Sequence, residues 1–209
     1  MKKLEVNING IKAVVHYVSN KFIVCCHGLY SNKDSKKYVE LAEMANKEGL
    51  SCVRFDFRGC GESEGSFEAS TLTARLKDLE EVINFIESKY DAKIALFGSS
   101  FGGMVSILYA SKNGNCLAIM ATPYKIEGRE SRFVDANVID AVKNCSKILI
   151  MHGLKDELVS KEQAETLYSY AKEPKEILLF NTDHSFSDEK IRREALSKAI
   201  SWIKNFIDI

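Results

Sequence analysis

The chain has 209 residues, 45% of them apolar and 28% charged, with 29 basic and 29 acidic side chains. That length and composition suit one globular domain, residues 1–209, with a single sizeable core. A formal charge of zero argues against nucleic-acid or anionic-membrane binding, both of which draw on surplus positive charge.

The chain opens on Met1-Lys2-Lys3-Leu4-Glu5, which has no continuous apolar signal core. The apolar runs, such as Phe22–Cys26 and Ile148–Met151, are strand-sized and fall far short of the ~20 residues of a membrane span. The expected location is therefore the cytoplasm. Two early strands, Lys3–Asn9 and Ala13–Tyr17, read as a hairpin. Further strands follow at Phe22–His27, Ser51–Phe57, Lys93–Gly98, Cys116–Thr122, Lys147–His152 and Glu176–Phe180. The later ones are short continuous apolar runs, as parallel strands covered on both faces require. Helical patterns lie between them, over Lys36–Lys47, Thr71–Lys89, Phe101–Lys112, Phe133–Lys143, Lys161–Ala171 and Asp188–Ile207. In the second of these, Leu72, Leu76, Leu79, Val82, Ile83 and Ile86 form one apolar stripe. A hairpin followed by β-α alternation predicts one α/β domain of about eight strands, mostly parallel, with helices on both faces.

Six cysteines occur, without a CxxC pair or a Cys/His spacing suited to zinc. Cys25, Cys26, Cys52 and Cys116 fall in or beside apolar runs, where a reduced thiol acts as a small hydrophobe. Cys60 falls in a Gly-rich loop, where exposure is expected. No metal or cofactor is called for.

The strongest chemical signal is Gly98-Ser99-Ser100-Phe101-Gly102, set between a buried strand and a helix. G-x-S-x-G in that setting describes a sharp turn that thrusts a serine hydroxyl above the sheet. Centring it on Ser99 would put Phe97 and Phe101 where the turn needs glycine, so Ser100 is the candidate nucleophile. The amide of Phe101, at the start of the new helix, can face a developing oxyanion.

A serine nucleophile needs a base, and the base needs an orienting group. Of the four histidines, His16 falls in the hairpin, and His27 and His152 precede glycines at strand ends, where they suit loop-bracing hydrogen bonds. His184 follows the last strand, over the edge of the sheet where open α/β folds place their chemistry. Asp156 follows Lys147–His152 and lies between Ser100 and His184 in chain order, the place for the acid. Asp183 and Glu157 are weaker candidates, and Asp135 and Asp140 fall on a helical surface pattern.

Taken together, His27-Gly28-Leu29, Arg58-Gly59-Cys60-Gly61-Glu62-Ser63, Gly98–Gly102, His152-Gly153-Leu154-Lys155-Asp156 and His184 resemble the α/β-hydrolase family over nearly the whole chain. The likeness is strongest to small serine carboxylesterases with a minimal cap. It implies a hydrolase that passes through an acyl-enzyme on Ser100, with Asp156 and His184 completing a triad. The amides of Leu29 and Phe101 would supply the oxyanion hole, and the Arg58–Ser63 segment a structural turn. The expected partner is a small ester or acyl molecule. Thioester or amide cleavage with the same triad, and a non-catalytic binding role on the same fold, stand as alternatives. Residues 122–146 leave room for no more than a small lid. Tyr30, Tyr124, Leu158 and Phe186, together with Phe101, are expected to line the substrate pocket.

Overall fold

The computed structural model describes residues 2–208. Its spine is an eight-stranded mixed sheet. Strands β1 (Lys2–Ile8) and β2 (Ile11–Tyr17) form an antiparallel hairpin, turned by Asn9 and Gly10 at φ 49° and 88°. Both turn residues have positive φ, as the tightest hairpins require. Then come β3 (Lys21–Cys26), β4 (Ser51–Phe55), β5 (Lys93–Ser99), β6 (Leu117–Met120), β7 (Ile148–Gly153) and β8 (Lys175–Phe180). The spatial order is β1-β2-β4-β3-β5-β6-β7-β8; β2 pairs antiparallel with β4, and all later pairings are parallel.

The helices are α1 (Lys36–Lys47), α2 (Leu72–Tyr90), α3 (Phe101–Asn113), α4 (Val138–Val142), α5 (Lys161–Tyr170) and α6 (Glu189–Phe206). They cover the sheet on both sides. One core joins α2, α3, α4 and α5 to the sheet through Leu76, Leu79, Ile83, Ile107, Val142 and Leu167. The other joins α1 and α6 through Leu41, Ala45, Leu196, Ala199 and Ile203. Every residue of β4, β6 and β7 is buried, which accounts for the continuous apolar runs of β6 and of β7 from Ile148 to Met151. Among the described residues no helix is long and apolar enough to cross a membrane.

Two expectations need correction. The helix read over 133–143 is reduced to α4, preceded by a 3-10 turn over Gly128–Phe133. Asn137 starts the helix late because its side chain accepts the amide of Asp140 at 3.1 Å, an N-cap that competes with continuing the pattern backwards. Cys60 is buried rather than exposed, with its sulfur 3.1 Å from Arg75 Nη2.

The order of strands reverses at β3 and β5. The chain runs from β3 outward to β4 on one side, then returns to place β5 on the other. Open α/β sheets bind ligands at such a switch, beyond the carboxyl ends of the strands. Here those ends are His27-Gly28-Leu29 and Ser99-Ser100.

Candidate active site

Ser100 holds φ 53° and ψ −124°, a backbone state costing of order 1–3 kcal/mol for a residue with a side chain. The surroundings fix it. Its amide donates to Met120 O at 2.8 Å, and its carbonyl accepts from Gly103 N at 2.9 Å. Glycine is required on both sides for lack of space. A Cβ on Gly98 would fall 2.6 Å from Gly102 O, and one on Gly102 would strike the carbonyl of Cys26.

The acid and histidine loops are joined to each other. Leu154 N donates to Phe180 O at 2.7 Å and Lys155 N to Thr182 O at 2.9 Å. A Cβ on Gly153 would collide with the carbonyl of Thr182, so the two loops run in contact. His184 Nδ1 lies 2.8 Å from Asp156 Oδ2, and His184 Nε2 lies 3.1 Å from Ser100 Oγ. Since the carboxylate accepts, Nδ1 carries the proton and Nε2 accepts from the serine hydroxyl.

The Asp156 carboxylate is fully enclosed, whereas the His184 side chain is 19% exposed. Burial works to raise the acid's pKa. Hydrogen bonds from His184 and from the Val159 and Leu158 amides, both at 2.9 Å, outweigh it and hold the carboxyl below its usual range. Asp183 turns away. Its carboxylate accepts the amide and hydroxyl of Ser187 at 2.8 and 2.6 Å, closing the turn after His184. Ser99 is buried and faces Lys37, not the histidine.

The other histidines brace loops. His27 Nε2 accepts the amide of Phe57 at 3.1 Å, so its Nδ1–H donates to Gly28 O at 2.8 Å. Burial lowers its pKa to about 3. His152 Nε2 donates to Val159 O at 3.0 Å, closing the acid loop on itself. His16 is buried in β2 and accepts from Arg54 Nε at 3.0 Å.

The loop after β3 passes beside the serine, since a Cβ on Gly28 would lie 3.5 Å from that of Ser100. Among the described residues, neither the Leu29 amide nor the Phe101 amide donates a hydrogen bond. Leu29, Phe101, Ser100 and His184 all line one cavity of about 850 Å³. Tyr30, Tyr124 and Leu158 line it too; Tyr30 and Leu158 are 73% and 77% exposed. Phe186 does not. It is fully buried, edge-on to Phe180 at 5.7 Å, and lines neither cavity that meets Ser100. It belongs to the core beneath the histidine loop, where a φ of 54° accompanies its inward side chain.

Among the described residues no cluster of three or more His, Cys, Asp or Glu is placed to hold a metal ion.

Residues 18–136, more than half of the chain, match the family model described as serine aminopeptidase, S33. The chain belongs to this family of α/β hydrolases. The uncharacterized protein YfhR of Escherichia coli K12 is 28% identical over 203 residues, which cover 86% of this chain and 66% of YfhR. The chain thus spans just under two thirds of that relative. Human palmitoyl-protein thioesterase ABHD10, mitochondrial, is 34% identical over 85 residues, covering 41% of this chain and 27% of ABHD10. Among solved structures, Est1E from Butyrivibrio proteoclasticus, bound to ferulic acid, superposes with a TM-score of 0.82 at 18% identity. That match covers 99% of this chain and 100% of Est1E. It is a likeness of fold.

Two residues of this chain near the site were not singled out from the sequence. Arg75 of α2 is completely buried. It donates from Nη1 to Gly28 O at 3.2 Å and from Nη2 to Leu29 O at 3.2 Å. Its guanidinium also stacks between the rings of Phe57 and Phe101, 4.9 and 5.0 Å from their centres. The available signal was a charged residue inside the apolar stripe that begins at Leu72. The second is Lys37, whose ammonium donates to Ser99 Oγ at 2.8 Å.

Proposed function

We propose that this chain is a serine hydrolase, one α/β-hydrolase domain cleaving carboxylic esters through an acyl-enzyme on Ser100. The carrying observation is the continuous chain of hydrogen bonds from Ser100 Oγ through the His184 ring to Asp156, set on a strained turn at the switch point of the sheet. In this reading His184 removes the serine proton as Ser100 attacks the substrate carbonyl, then returns it to the leaving alcohol. Water deacylates Ser100 by the same route. Asp156 keeps the imidazole in its tautomer and stabilises the cation formed in each step.

The free amides of Leu29 and Phe101 serve as the oxyanion hole. One such donor is worth about 3 kcal/mol of barrier. Arg75 acts as a positioning residue, holding the carbonyls on the Leu29 side and packing on Phe101. Tyr30, Tyr124 and Leu158 form an apolar wall for the acyl or alcohol part. Residues 122–146 act as a small lid, tied down where the amides of Tyr124 and Lys125 donate to Gln163 Oε1 at 3.0 and 3.2 Å. All six cysteines are unpaired and buried, which favours a reducing compartment such as the cytoplasm.

Thioester cleavage is the second reading, favoured by the partial identity with ABHD10. The test joins a fluorophosphonate probe to a series of nitrophenyl esters from acetate to palmitate, run beside thioester and amide substrates. Expected are labelling lost in Ser100→Ala and ester turnover above the other two classes. Folded protein that takes no label would instead favour a binding role.

A further inference from the structure

Two cavities meet at Ser100 and His184, and they differ in charge. The larger has Glu127, Glu130, Glu157 and Glu162 among its lining residues. The smaller, about 520 Å³, is lined by Lys36, Lys37 and Arg192 and by no aspartate or glutamate.

Two of these three cations are occupied. Arg192 meets both carboxylate oxygens of Glu40, at 2.7 and 3.1 Å, and spends Nη1 on the carbonyls of Phe186 and Ser187. Lys36 reaches Glu189 at 3.0 Å. Lys37 is different. The residue is half-buried, yet the partners of its ammonium are the Ser99 hydroxyl at 2.8 Å and Met120 Sδ at 4.0 Å. An ammonium has three protons to donate, and a charge held partly out of water without a counter-ion is unfavourable. Helix α1 also starts in this cavity. Its first turn carries no acidic residue and Ser35 caps no amide with its side chain, so the positive end of the helix adds to the potential.

We infer that this smaller cavity is a subsite for a carboxylate carried by the substrate, paired with the Lys37 ammonium while the scissile carbonyl lies on Ser100. The inference rests on the esterase reading and names its substrate class: esters bearing a free carboxylate a short spacer away. Ser99, which touches Lys37, directly precedes Ser100, so the two recognition points are close. A single ammonium beside the Ser99 hydroxyl suits a singly charged carboxylate. A phosphate dianion calls for more donors.

Two matched pairs test it and tell which half of the ester carries the charge. Mono-4-nitrophenyl adipate is compared with its methyl ester, following nitrophenol release, and 4-acetoxybenzoate with 4-acetoxybenzamide. Within each pair the ratio of kcat/KM, charged over neutral, cancels effects common to both substrates. At pH 7 the charged member should lead by about 10-fold or more in one pair, as expected of a desolvated charge-assisted contact. Lys37→Met should bring that ratio near one, and Lys37→Arg should keep most of it.

A second readout needs no variant. Burial and Arg192 lower the Lys37 pKa to about 8, while Asp183 and Asp156 act to raise it. Lys36 and His184 also line the cavity. The ammonium is charged below that pH, so the ratio should decay as pH rises from 7 to 9.5. A ratio near one in the wild type for both pairs would overturn the inference, as would a preference that Lys37→Met leaves intact. Turnover of the neutral esters in either case keeps the esterase reading. No turnover of any of the four, with no fluorophosphonate label, ends both.

Discussion

Replacing Arg75 with Met separates two jobs that one buried guanidinium performs. Met fills much of the same space but donates nothing. The carbonyls of Gly28 and Leu29 and the hydroxyl of Ser70 lose donors at 3.2, 3.2 and 2.9 Å. Each buried group left unpaired costs ~1–3 kcal/mol. Removing the cation also removes the cost of enclosing it, which is already visible in the way burial pulls the arginine pKa down. The two effects oppose each other, so the net loss of stability should be about 1–3 kcal/mol, leaving a folded protein. Catalysis has no such offset. With its carbonyls released, the loop carrying the Leu29 amide shifts, and the Phe101 ring loses its stacked cation. Full loss of one oxyanion donor costs ~10²–10³ in kcat, and a displaced donor should cost about 10- to 100-fold. The assay is kcat and KM on a nitrophenyl ester, beside a urea midpoint. We expect kcat to fall with KM nearly constant, because the interaction matters in the transition state alone. Arg75→Lys should recover part of the loss, since an ammonium can hold one carbonyl but not the whole fork. A folded Arg75→Met with kcat within twofold of wild type would refute the bracing role.

Three further outcomes are expected. Asp156→Asn should lower kcat on the order of 10⁴-fold by favouring the wrong imidazole tautomer; a near-normal rate would shift the orienting role to another group. Gly102→Ala should cost about 2 kcal/mol or more in a denaturant midpoint and reduce turnover, because the new methyl meets the Cys26 carbonyl; an unchanged midpoint would mean that the elbow tolerates a side chain there. Burial lowers the pKa of His27 to about 3 and of His16 to about 4. Both stay neutral in the fold while the unfolded chain takes up protons below about pH 6.5. Their contribution is therefore present above that pH and lost as pH falls toward the folded values. By pH 5 each should have cost on the order of 2 kcal/mol, read as a drop in urea midpoint between pH 7 and 5; a flat midpoint would contradict it.

The strands and the meeting of Ser100, His184 and Asp156 were legible because local chemistry and global fold agree there. A buried strand, a Gly-x-Ser-x-Gly turn and a helix can satisfy their backbones together in few ways, and the loops after β7 and β8 must lie on the same rim. Phe186 was misread because an aromatic residue two positions after a site histidine looks the same in sequence whether it faces the cavity or the core. What decides is the left-handed backbone at that residue and the space beneath it. The late start of α4 was hidden for a related reason. The apolar periodicity before Asn137 continues into a 3-10 turn that buries Phe133 against Phe67, so the pattern outlasts the helix.

Arg75 and Lys37 show where reading by motif stops. Neither belongs to a spacing rule, and each draws its meaning from partners 40 or more residues away: the carbonyls of 28 and 29 for one, the hydroxyl of 99 for the other. They share a physical signature that a contact pattern can reveal. Each is a cation held at least partly out of water near Ser100 with no carboxylate as its main partner, an arrangement that costs stability. Arg75 offsets that cost with backbone carbonyls and two aromatic faces. Lys37 has one hydroxyl and a distant sulfur, and the difference between the two ledgers is what assigns the first a structural duty and leaves the second a charge for the substrate to neutralise.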